Sequence, residues 1–329
     1  MTEGEFDLIR RLAPFLAVDG EGLIVGHGDD AAVVEVGGRG VCIAVDVLVE
    51  GVHFRRDLSS LGDVGWKAVA VNVSDIAAMG AVPTVAVVGL CRPSDVPAAD
   101  VEALYAGMDE ACRHWELRLV GGDTVAADAL ALSVTVLGDV DVARAVRRSG
   151  ASPGDRLVVV GTLGAASAAL AQDRKGFQPD ERLLAVHRRP EAHVEAGRSL
   201  AELGATAMID VSDGLGADLG HICTASDVSA TVSAEALPAA DGVVAAAIAL
   251  GRDPLDFVCG GGDAYALLAA VPRDRADTVA SEVGGVVVGD VGQGPPATRL
   301  LLADGSTRDL AGMGWDHYRG EPAWSEEPA

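Results

Sequence analysis

Six short segments each set one or two aspartates at a tight Gly- or Ser-containing turn beside an apolar run. They are GHGDD (Asp29, Asp30), VDVLVEGVHF (Asp46, Glu50, His53), VNVSD (Asp75), VGGDT (Asp123), IDVSDG (Asp210, Asp213) and GGGDAY (Asp263). Glycine lets backbone approach a bulky ligand, and an aspartate leaving a strand presents its carboxylate at the rim of a sheet. Hard oxygen donors, with no cysteine and one nearby histidine, suit Mg²⁺ rather than Zn²⁺. Magnesium takes a few carboxylates, water and substrate phosphates, so several such turns point to a multi-metal phosphate site. Singly, Asp beside Gly is ordinary turn chemistry. Asp75 differs, because it lies in an apolar, helical stretch where a buried carboxylate needs a partner. Spacing alone does not bring the six turns together in space.

The elements that must position them follow from periodicity. Residues 63–79 read as a helix begun by Asp63, with Trp66, Val69, Val73 and Ala77 as its buried stripe. Strands are expected at 40–54, at 84–93 (stopped by proline), at 117–126 and at 130–140, and further helices at 4–16 and, led by Pro97, at 97–115. SGASPGDR (149–156) gathers Gly, Ser and Pro and marks a domain junction. Beyond it come a strand at LVVVG, helices at 164–172, 190–203 and 213–225, a charged loop at 173–182, and a glycine turn feeding a strand at 256–271. β-branched runs alternating with Ala-rich helical stretches define an α/β (α+β) protein.

The chain has 329 residues, 49% of them apolar but only 4% aromatic, so two domains can bury a core of Val, Leu, Ile and Ala. A net charge of −24 sets nucleic acid and anionic membranes aside as partners. Five widely spaced cysteines, never in CxxC, argue against a disulfide framework or a zinc site. With no apolar signal core in MTEGEFDLIRRL and no long apolar run, the expected compartment is the cytoplasm. There is no GxxxxGK[ST] and no HRD followed by DFG, so nucleotide phosphates would be held by metals and loops.

In order, GEF, GHGDDAAVV, VDVLVEGVHF, KAVAVNVSDIAAMGA, VGGDT, RSGASPGD, IDVSDGLGADLGHI and the late GG-D-x-Y turn resemble the thiamine-monophosphate kinase family, within the aminoimidazole ribonucleotide synthetase-like superfamily. The likeness runs from residue 3 to GWDHY at 314–318. It implies a two-domain fold: an ATP- and Mg²⁺-binding domain over 1–148 that dimerises through its sheet, a C-terminal α/β domain over 149–318, and a mobile tail at 319–329. It further implies that Asp30, Asp46, Asp75, Asp123 and Asp210 bind magnesium, with Asp29 beside them and Asp213 at a further ion. Gly122, Asp123, Arg148 and Ser212 would meet ATP, and His53, Asp263 and Trp315 would meet thiamine monophosphate. Asp30, Asp75, Asp123 and Arg148 would carry an in-line transfer of the ATP γ-phosphoryl group to thiamine monophosphate, giving thiamine diphosphate and ADP. The implied partners are ATP, thiamine monophosphate and a second copy of the chain.

The chain departs from the family at three places. Ala44 and Val45 stand where Ser/Thr-Thr is usual, which removes two oxygen ligands. The late GGED motif reads Gly261, Gly262, Asp263, Ala264, which shortens one carboxylate and deletes another. His27 replaces an apolar residue or proline, while His187, His193 and His221 read as structural or surface residues. The departures leave room for a relative acting on another small phosphate acceptor, or for a non-catalytic nucleotide-binding paralogue.

Overall fold

The computed structural model describes residues 4–18 and 20–315. The expected tail at 319–329 lies outside them. In chain order the first half forms α1 (Glu5–Leu12), β1 (Leu23–Val25), β2 (Ala32–Val36), β3 (Arg39–Val49), α2 (Leu61–Ala78), β4 (Val82–Arg92), α3 (Ala98–His114), β5 (Arg118–Ala126) and β6 (Ala131–Val140). The second half forms β7 (Arg156–Val160), α4 (Ala165–Arg174), α5 (Glu181–Arg188), α6 (Val194–Glu202), β8 (Ala207–Val211), α7 (Leu215–Ser226), β9 (Ser229–Ser233), α8 (Val243–Leu250), α9 (Pro254–Gly260), β10 (Ala266–Val271), α10 (Ala276–Glu282), β11 (Val286–Gly292), β12 (Ala297–Leu301) and β13 (Thr307–Asp309).

The described residues form two units. Residues 20–145 with Arg188–Arg198 make one, and residues 4–18, Val146–His187 and 199–315 make the other. A single cut at 148/149 therefore does not describe the contacts, because α1 and the 188–198 segment each group with the unit more distant in sequence.

The first unit is a six-stranded sheet in the order β1-β2-β3-β6-β4-β5, antiparallel except for the β4–β5 pair, whose crossover is α3. Even-numbered residues of β3 (Cys42, Ala44, Leu48) are buried on the face that α2 covers. On the other face Val45, Val47 and Val87 are exposed. Helices α2 and α3 pack closely through small residues: a Cβ on Gly65 would lie 2.0 Å from the Leu104 carbonyl, and one on Gly107 1.9 Å from that of Gly62. The cap of α2 is Ser60, whose Oγ accepts the Asp63 N–H at 3.2 Å, so Asp63 is the third helical residue rather than the first. Pro97 likewise lies just outside α3, at its N-cap position and without a side-chain capping bond. The 188–198 segment is held by the Trp66 indole on the Pro190 carbonyl (2.9 Å), the Trp115 indole on that of Ala192 (3.1 Å), and Arg189 on Asp63 and Glu110.

The second unit is a seven-stranded sheet in the order β13-β12-β9-β11-β7-β10-β8, antiparallel except for β9–β12. Strands β8 and β10 are buried along their whole length, and β7 except at its first residue, so they read as unbroken apolar runs. Within the expected glycine-turn region at 256–271, residues up to Gly260 prove helical, opened by Asp253 and by Pro254 at the first position.

Candidate active site

In the six-stranded unit the alternation of β3 puts Asp46 on the same face as Cys42 and Ala44, beneath α2. Asn72, fully buried in α2, accepts the Asp46 N–H (3.0 Å) and donates to the Ala68 carbonyl (3.0 Å), which fixes strand against helix. Asp75 follows one turn later. Carboxylate oxygens of Asp30 and Asp75 come within 4.8 Å of each other. Burial pushes the Asp46 carboxyl up, partly offset by its hydrogen bond with Asp75. Burial also pushes the Cys42 thiol up to about 12, helped by the negative charges of Asp75, Asp30 and Asp29. Asp75 opens the last turn of α2, where the helix dipole also disfavours an anion. Like charges so gathered fit a hard divalent cation.

His53 stands at the turn after β3. Its Nδ1 accepts the Val49 N–H at 3.0 Å, and its carbonyl accepts from the buried Lys67 amine at 3.2 Å. A neutral ring then carries its proton on Nε2. Glu50 pairs with Arg56 instead of joining the aspartates. Gly122 and Asp123 lie on the exposed edge strand β5, and the Asp123 carboxylate accepts the Thr124 N–H at 2.8 Å. Gly122 has a packing reason to be glycine, since a Cβ there would sit 1.8 Å from the Val88 carbonyl. Asp123 is not among the carboxylates that close on one another among the described residues.

The seven-stranded unit builds a second acidic group. Asp210 is buried near the end of β8, and the chain then turns through Ser212, Asp213 and Gly214 into α7. Asp218, 2% exposed, accepts the N–H groups of Asp213 (3.2 Å) and Gly214 (3.0 Å) and so sets the turn. Atoms of Asp213, Asp218 and His221 lie within 4.8 Å of one another. Burial raises the Asp218 carboxyl well above the usual range, Asp213 and Asp210 add to this, and the Gly214 N–H and the Arg148 charge oppose it. Burial and Arg148 together lower His221 to about 4.

The late glycine turn docks on this one. The Asp263 N–H donates to the Ser212 carbonyl and the Tyr265 N–H to that of Val211, each at 2.8 Å. Trp315 joins through its N–H on the Asp213 carbonyl at 3.0 Å. Thus Arg148, Asp210, Ser212, Asp213, Asp263 and Trp315 belong to one unit, and Asp29, Asp30, Asp46, Asp75 and His53 to the other.

Sequence reasoning passed over Asp218 here and read His187 and His221 only as structural or surface residues. Asp218 shares the buried α7 stripe with Leu215 and Ile222, and that break in an apolar face was its signal. His221 lies one turn from Asp218 and is half-buried beside it. His187, in the last turn of α5, is 3% exposed and contacts Asp263, which no local pattern announces.

Comparison with known proteins places the chain as a whole. Residues 28–140 match the AIR synthase related protein N-terminal domain, and residues 152–296 the corresponding C-terminal domain. The thiamine-monophosphate kinase of Mycobacterium tuberculosis is 40% identical, over 98% of this chain and 92% of that protein. That of Bacillus subtilis is 33% identical, over 96% and 99%. The solved structure of AaThiL complexed with AMPPCP and TMP superposes with a TM-score of 0.85 at 31% identity, covering 96% of this chain and 97% of that one. Sequence and fold agree over nearly the full length of both partners, and this chain belongs to the thiamine-monophosphate kinase family.

Proposed function

We infer that the chain is an ATP-dependent kinase that transfers the γ-phosphoryl group of ATP to thiamine monophosphate, giving thiamine diphosphate and ADP. The observation that carries this reading is the near full-length likeness to thiamine-monophosphate kinases together with retention of the aspartate turns. The acceptor is a phosphate oxygen already ionised at neutral pH, so no general base is required, and positioning and charge neutralisation carry the catalysis.

In this reading Asp30, Asp46 and Asp75, with Asp29 beside them, hold magnesium from the six-stranded unit, and Asp210 and Asp213 do so from the seven-stranded one. Asp123 is assigned the same role on its sequence position. Bound Mg²⁺ supplies positive charge to phosphate oxygens and lets two anions approach. Asn72 keeps Asp46 under α2, and Asp218 keeps the Ser212–Asp213 turn in shape for phosphate. Gly122, Asp123, Arg148 and Ser212 are the proposed ATP contacts, with the Arg148 fork suited to phosphate oxygens. His53, Asp263 and Trp315 are assigned to thiamine monophosphate. An indole over its cationic ring system contributes about 0.5–2 kcal/mol.

We place the activity in the cytoplasm, in keeping with five free thiols. No helix among the described residues is long and apolar enough to cross a membrane. We also propose a homodimer that covers the exposed Val45, Val47 and Val87 face of the six-stranded sheet, since such apolar faces mark contact surfaces. Val47→Lys is then expected to yield monomers in analytical ultracentrifugation, and an unchanged dimer would exclude that face.

The test of function is incubation of the purified chain with ATP, Mg²⁺ and thiamine monophosphate, followed by chromatography. Thiamine diphosphate that disappears on chelation supports the reading. ATP binding without that product would move the assignment to another phosphate acceptor or to a non-catalytic paralogue.

A further inference from the structure

Asp263 is held more tightly than a substrate contact in a surface turn needs to be. Both carboxylate oxygens have a side-chain partner: the Tyr265 hydroxyl donates to Oδ1 at 2.9 Å, and His187 Nδ1 lies 2.9 Å from Oδ2. An ionised carboxylate only accepts, so His187 then carries its proton on Nδ1. His187 is 3% exposed and comes from α5, a different element. The backbone is committed as well. Asp263 and Tyr265 both adopt left-handed conformations, with φ of 62° and 52°. For a residue as bulky as tyrosine this persists only when the surroundings impose it. Here the two N–H bonds to Ser212 and Val211 do so. Gly262 contributes too, since a Cβ there would meet the Ser212 carbonyl at 2.7 Å.

We propose that His187 and Tyr265 are positioning residues that fix the Asp263 carboxylate in one orientation for the cationic part of the substrate. This rests on the functional reading above. Asp263 is one methylene shorter than the glutamate usual in the family, and a short side chain clamped at both oxygens has one rotamer to present. The carboxylate then keeps a fixed direction, so the ordering cost is met on folding and not on binding. A purely structural clamp, tying α5 to the turn, would affect stability alone.

Steady-state kinetics on the full-length chain separates the two roles. Tyr265→Phe removes a single oxygen, His187→Leu removes the ring donor, and His187→Asn keeps an N–H close to the Nδ1 position. Tyr265→Phe and His187→Leu are each expected to raise KM for thiamine monophosphate by about tenfold, with KM for ATP unchanged. His187→Asn is expected to restore most of the loss, and in an Asp263→Ala background Tyr265→Phe should add nothing further. An unchanged KM for thiamine monophosphate, an equal rise in KM for ATP, or additive effects in the Asp263→Ala background would overturn the proposal. If the wild-type chain makes no thiamine diphosphate, the functional reading falls and this proposal with it. If the wild type turns over and the variants match it, only this proposal falls.

Discussion

The two acidic groups use the same residue at opposite ends of a helix. Asp75 opens the last turn of α2, while Asp213 and Asp218 sit at the start of α7. At the first position the helix dipole works against a negative charge, and at the second it works in its favour, by about 0.3–1 kcal/mol for each exposed charge. The neighbours differ in the same sense. The charges acting on Cys42 beside the first group are all carboxylates, whereas Asp218 in the second, though raised by burial and by Asp213 and Asp210, has the Gly214 N–H and Arg148 to offset part of this. The second group thus has part of its burden offset by its own fold, through a backbone N–H and a guanidinium, and the first gathers charge that an outside cation relieves. An acidic chain can in this way build one region that depends on a cation for its compensation and another that takes part of it from the fold.

The largest expected effect separates the groups by function. Asp46→Ala should lower kcat/KM by about 10³-fold, roughly 4 kcal/mol, since it removes a carboxylate from the region that recruits the ion. Thermal melting of the same variant in chelator should show no loss of stability, because the cost of burying the Asp46 carboxylate is removed. A melting temperature that falls together with activity would mean that Asp46 is a structural residue.

Asp218 should behave in the opposite way. Asp218→Ala leaves the Asp213 and Gly214 N–H groups without their acceptor and should cost about 2–4 kcal/mol in urea unfolding. Asp218→Asn keeps an oxygen acceptor and should cost less. Equal losses in the two variants would show that charge, and not the two hydrogen bonds, is what matters at this site.

How much of this could be read from the sequence depends on range. Turns and apolar periodicity are local, so α2, β3, β6 and the six aspartate turns could be placed from residues alone. The helices α5, α8, α9 and α10 and the strands β9, β11, β12 and β13 were missed, because short elements stabilised by tertiary burial carry little local signal. The start of α2 was misplaced because Asp63 and Ser60 are both competent caps, and only the hydrogen bond to Oγ distinguishes them. The departure at Ala44 and Val45 also looks different in three dimensions. Alternation puts Ala44 on the Asp46 face, but Val45 on the opposite, exposed one. The pairing of His187 with Asp263 joins residues 76 positions apart, and sequence alone offers no means of anticipating it.

A smaller effect concerns pH. Burial lowers the pKa of His193, with Glu191 opposing, so the folded state binds its proton less readily than the unfolded chain. The stability this group contributes is present above the ordinary histidine value of about 6.5 and is lost as pH falls below it. His193→Gln should therefore flatten the fall in stability on acidification, as read by melting temperature between about pH 7 and pH 5. The smallest change is Ser60→Ala, which removes the α2 cap and should cost about 1 kcal/mol with little change in kcat.

The most direct test of the central claim is the rate of thiamine diphosphate formation by the wild type and by Asp75→Asn across a magnesium titration. The wild-type rate should rise with Mg²⁺ and saturate, while the folded variant should stay near background at every concentration. A variant that turns over at close to the wild-type rate would contradict the assignment of this acidic group to metal and phosphoryl transfer.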